Sequence, residues 1–78
     1  ISGTMIDTRI ILKKALQYNT TGIIICHNHP SGNLKPSRAD IDITQRIYAA
    51  AQTMDIKLLD HIIVSDTGYF SFSDEAMM

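Results

Sequence analysis

Seventy-eight residues make one domain at most, and a chain of this size buries only roughly 60 % of its unfolded surface, so its core is thin. A hydrophobic content of 45 % beside 19 % charged residues argues for a globular protein and against disorder. The formal net charge of −1 leaves no global basic field for nucleic acid, and the apolar runs are far too short to cross a bilayer.

Residues 1–5, with Gly3, read as the tail of a preceding strand or loop, and a start at Ile1 rather than methionine marks a piece of something longer. Asp7 is placed to cap a helix over 8–18, with Ile11, Leu12, Ala15 and Leu16 as its apolar stripe. Lys13 and Lys14 turn to water. They are read as solvated charge before they are read as contacts to phosphate or an acidic partner. Asn19-Thr20-Thr21-Gly22 signals a turn. The 23–27 run after it is apolar throughout up to His27, as expected for a strand covered on both faces and placed in a sheet centre. Cys26 is read as an ordinary buried thiol, since its side chain alternates away from those of His27 and His29. One cysteine cannot build a disulfide framework, so a reducing, cytoplasmic setting is expected.

The next stretch carries the chemistry. His27, His29, Ser37 and Asp40 spell H-x-H-x7-S-x2-D. Histidines two apart on an extended segment point to one face and can converge on one ion. Two imidazoles and a carboxylate are the ligand set of a hydrolytic zinc site that keeps one position open for water. The 30–36 segment is a loop that turns at Ser31-Gly32-Asn33 and closes at Pro36. Ser37 then caps a helix over 38–54, with Asp40 at its third position in an acidic variant of the capping box. Capping alone would explain both residues; the two histidines at the matching offset favour a ligand role for Asp40 as well.

Ile43, Ile47, Ala50 or Ala51, and Met54 recur at helical spacing and should face the core. Thr44 falls either on the helix surface or close behind the site. Residues 57–65 form a second strand, Asp66-Thr67-Gly68 a tight turn, and 69–73 the hairpin partner, in which Phe70 and Phe72 share one face. Asp40 already completes a ligand set, so His61 is expected with Asp60 in a hydrogen-bonded pair, either structural or orienting a ligand, not as a third imidazole on the ion. The 74–78 tail carries no recognisable chemistry.

The spacing resembles the JAMM (JAB1/MPN/Mov34) metalloprotease motif. The words His27-Asn28-His29-Pro30-Ser31-Gly32, Pro36-Ser37, Asp40, Thr44, the 59–64 run Leu-Asp-His-Ile-Ile-Val and Tyr69-Phe70-Ser71-Phe72 are similar to the bacterial RadC family over nearly the whole chain. Where that family often opens its first helix with Pro-Arg-Glu, this chain has Thr8-Arg9-Ile10, so only the arginine corresponds and it is assigned no role.

The resemblance implies a zinc-dependent hydrolase of peptide or isopeptide bonds. His27, His29 and Asp40 would hold Zn2+, and Ser37 would donate to the oxyanion of the tetrahedral intermediate. JAMM enzymes take their general base from a glutamate on a strand upstream of the histidines. Only Asp7 is acidic before His27, and the sole glutamate is Glu75, so that base is expected outside this sequence and the fragment alone is expected to be inactive.

A contiguous His-Asn-His is no support for an HNH nuclease, whose motif is spread over a longer segment. Zinc nucleobase deaminases need H-x-E and P-C-x-x-C, neither of which is present. The alternatives kept are a nucleic-acid or protein binding module, suggested by the DNA-repair label of the RadC name, and a non-catalytic MPN scaffold.

The expected architecture is α/β, a layered α-β-α arrangement with a mixed sheet, JAB1/MPN-like with the layering of cytidine deaminases. The 78 residues would be the C-terminal portion of one such domain, with its N-terminal strands outside the sequence. The metal should sit at the carboxyl end of the first strand. Expected partners are a protein or peptide substrate and a second copy of the chain paired along an exposed strand edge, with no membrane and little affinity for DNA.

Overall fold

Asp7 stops the incoming chain in an extended conformation and accepts a hydrogen bond from the Arg9 N–H, so α1 (Thr8–Gln17) begins where the sequence places its cap. The structure, a computed structural model, describes residues 7–29 and 32–78. The reading of 1–5 and the turn contributions of Pro30 and Ser31 lie outside the described residues. After α1 come β1 (Gly22–Asn28), α2 (Arg38–Thr53), β2 (Lys57–Ser65) and β3 (Gly68–Ser71).

Both helices end in the same way. Asn19 and Asp55 take positive φ, and the paired bonds Asn19 N–H to Leu16, Thr20 N–H to Ala15, Asp55 N–H to Gln52 and Ile56 N–H to Ala51 form two Schellman closures. The second brings Ile56 against Ala51. With Ala15 these make a buried cluster, and Leu12 and Ile23 pack on it.

β1 and β2 pair in parallel across α2, and β3 returns antiparallel to β2, giving a mixed sheet in the order β1-β2-β3. The α/β architecture is the expected one. The register between β1 and β2 is not uniform: Ile23 lies opposite Leu58, but Ile24 lies opposite Asp60. This bulge passes over Leu59 and sets His61 opposite Ile25 and Ile63 opposite His27. A one-residue slip turns every later side chain to the other face. The bulge therefore puts His61, not Asp60, on the side shared by Ile25 and His27.

Several sequence expectations are corrected. Among the described residues β2 is central and β1 lies at the exposed strand edge that was expected. Ile24 is 58 % exposed and Cys26 is exposed, so β1 buries one face, and the thiol is not a core group. A continuous apolar run cannot report which of its faces is covered; the burial alternates by two all the same. Leu16 and Met54 are also exposed, each close to the end of its helix. Ile47 and Ala51 reach the core as expected, while Ile43 and Ala50 are half-buried. β3 stops at Ser71, and Phe72 just beyond it is fully buried.

Candidate metal centre

The carboxyl end of β1 and the first turn of α2 meet at one point. His27 and His29 lie on the same side of their strand with ring centroids 5.0 Å apart. The chain keeps strand direction past Asn28 because the His29 N–H donates to the Val64 carbonyl at 3.0 Å. Opposite them, the Ser37 hydroxyl accepts from the Asp40 N–H at 3.0 Å, and the Asp40 Oδ2 accepts from the Ser37 N–H at 2.7 Å. This reciprocal box starts α2 and fixes the Asp40 carboxylate.

The carboxylate faces both imidazoles. His27 Nε2 is 3.3 Å from Asp40 Oδ1, and His29 Nε2 is 3.2 Å from Asp40 Oδ2. A tetrahedral ion with bonds of about 2.0–2.1 Å holds neighbouring donor atoms roughly 3.3 Å apart. The spacing fits such an ion. One donor atom from each residue can be chosen so that all three lie within 4.8 Å of one another.

Protons point to the same conclusion. His29 Nδ1 lies 2.7 Å from the Asn33 carbonyl, which only accepts, so Nδ1 carries the hydrogen. Nε2 is thereby turned to a carboxylate oxygen at 3.2 Å, where either a proton or a metal ion can lie between them. Burial lowers the pKa of His27, and the nearby His29 adds to this against the opposing pull of Asp40. Burial raises Asp40, but the Ser37 hydrogen bonds and the two histidines outweigh it and hold the carboxylate below its usual range. Near neutral pH the donor set is an anion with an uncharged His27.

Behind His27 stands His61, fully buried. Its Nε2 is 2.9 Å from His27 Nδ1, and its Nδ1 meets the Thr44 hydroxyl, which in turn donates to the Asp40 carbonyl at 2.6 Å. The ring stacks on Phe72 at 4.7 Å with planes 7° apart. Burial, reinforced by His27, takes the His61 pKa down to about 4. Asp60 points elsewhere: it accepts from the His61 N–H (2.7 Å), the Ser71 hydroxyl (2.6 Å) and the Ser73 N–H (3.0 Å), which ties the end of β3 to β2.

Over residues 1–77 the sequence matches the RadC-like JAB domain. The chain belongs to that family. It is 49 % identical over 77 residues to a UPF0758 protein of Flavobacterium johnsoniae, covering 99 % of this chain and 34 % of that protein. A UPF0758 protein of Porphyromonas gingivalis is 46 % identical over 79 residues, 35 % of its length. The UPF0758 protein YfjY of Escherichia coli is 42 % identical over 78 residues, 49 % of its length. The chain thus spans about a third of the first two relatives and half of the third.

Within this RadC-like JAB domain the three expected ligands come together, and Ser37 stands at the helix start beside them. His61 and Cys26 are outside the three-residue cluster. Sequence reasoning expected His61 and Asp60 as a hydrogen-bonded pair; Asp60 does accept from the His61 N–H, while the His61 ring turns to the cluster and Asp60 also ties down the hairpin. It left Thr44 undecided between surface and site; Thr44 is buried behind the site. The threonine four residues after Asp40, one helical turn on, was the available signal, because a threonine hydroxyl reaches the carbonyl four residues back.

Proposed function

We propose that this RadC-like JAB domain is the metal-holding part of a zinc-dependent hydrolase of peptide or isopeptide bonds. The convergence of His27 Nε2 and His29 Nε2 on the Asp40 carboxylate at 3.2–3.3 Å carries the reading, and the JAB/MPN superfamily to which the family belongs includes metalloproteases. Zinc at this point would supply Lewis acidity towards an amide carbonyl and lower the pKa of a coordinated water towards ~7.

The residues of the chain do the rest. Asn33 orients His29, the Ser37 N–H orients Asp40, and the Ser37 hydroxyl donates to the developing oxyanion. Capping leaves that donation free, because a hydroxyl accepts through oxygen while its own hydrogen points elsewhere. Among the described residues Asp40 is the only carboxylate in the cluster. We assign the proton-accepting role to a glutamate outside these 78 residues, a group that contributes about 10²–10⁴-fold. The exposed free thiol of Cys26 suits a reducing compartment such as the cytoplasm.

The test is hydrolysis of peptide and lysine-linked isopeptide substrates by the intact, zinc-loaded protein. Activity should vanish in His29→Ala and fall by orders of magnitude in Ser37→Ala, and the isolated 78 residues should bind zinc without turnover. Full activity of His29→Ala would sink the proposal.

A further inference from the structure

Hydrogen-bond direction around His61 can be worked out from its one fixed end. The Asp40 backbone carbonyl only accepts, so the single Thr44 hydroxyl proton goes to it. Thr44 Oγ1 must then accept from His61, which places the hydrogen on His61 Nδ1. A neutral imidazole has one N–H, so His61 Nε2 is an acceptor. It faces His27 Nδ1 at 2.9 Å, and His27 Nδ1 must therefore be the donor. His27 Nε2 is left without a hydrogen and directed at Asp40.

We propose that His61, with Thr44 behind it, is a positioning residue that fixes His27 as its Nδ1–H tautomer and presents the free Nε2 lone pair to the metal. The inference rests on reading the cluster as a metal centre. It adds that two ligands are prepared by one device, since the relay that orients His27 ends on the backbone of Asp40 itself. Asn33 does the same for His29 through a carbonyl. The relay is rigid: His61 is fully buried, stacked on Phe72, and held on this face by the β1–β2 bulge. Groups that orient ligating histidines in this way govern metal affinity as well as ring placement.

Two readouts on the intact protein test it. Nitrogen-15 NMR of the histidine side chains, on metal-free protein above the histidine titration range, should show His27 protonated at Nδ1 alone. His61→Phe, which keeps a ring against Phe72, should convert this to a tautomer mixture. Zinc affinity, read by competition with a chromophoric chelator, should fall about 10–100-fold in His61→Phe and Thr44→Val. Thr44→Ser, which keeps the hydroxyl, should restore it.

Wild-type His27 protonated at Nε2, or unchanged zinc affinity in both Thr44→Val and His61→Phe, would overturn the relay even with zinc bound one to one. Correct His27 tautomer in a wild type that binds no zinc would overturn the metal reading and leave the relay standing. Should His61→Phe fail to fold, the near-isosteric Thr44→Val and Thr44→Ser pair decides.

Discussion

Burying a neutral histidine couples folding to acidity. His61 moves from an ordinary value of 6.5 to about 4 in the folded chain, so between these limits the unfolded chain binds the extra proton. Stability is therefore complete above about pH 6.5 and is lost as pH falls towards 4, by up to about 3 kcal/mol. His27, also lowered by burial, acts in the same direction. Melting of metal-free protein across this range should show the decline, and His61→Phe should flatten most of it; a wild type with constant melting temperature would contradict the burial argument. At this scale the His27–His29–Asp40 cluster was legible because its spacing is local. The His27–His61 contact spans 34 positions and depends on a bulge, and no local pattern carries it.

Elements were more legible than faces. The caps Asp7 and Ser37, the 57–65 strand and the parallel pair joined through α2 all follow from local chemistry that the structure retains. The closure at Asp55 was hidden, since no glycine or proline marks it. The exposure of Ile24 and Cys26 on β1 was not legible, because residue type does not say what packs on each side. Ser37 illustrates how one element serves two ends. Ser37→Ala removes the cap and should cost about 1 kcal/mol of stability by denaturant titration. Zinc stoichiometry should survive, because the Ser37 backbone N–H, not its side chain, holds Asp40 Oδ2. Loss of zinc in this variant would show that the hydroxyl does more than cap α2 and donate to substrate.

For the molecule as a whole, the surface matters as much as the site. Ile24 (58 %), Leu59 (52 %) and Tyr69 (63 %) are exposed, and β1 is an edge strand among the described residues. We propose that the 78 residues alone pair with a second copy through this edge, on which Ile24 is the exposed apolar side chain. Sedimentation should show concentration-dependent association; a monomer at high concentration would refute it. With a net charge of −1, any DNA binding should be weak, salt-sensitive and without sequence preference, and sub-micromolar affinity at ~150 mM salt would favour a repair role instead. Among the described residues no helix is long and apolar enough to cross a membrane. Whether His27, His29 and Asp40 hold one metal ion, as proposed, is measured directly by metal content after mild chelation and zinc re-addition. Wild type should retain about one zinc per chain and the His27→Ala, His29→Ala double variant none, since two of three donors are gone. Equal zinc in both proteins would contradict the account.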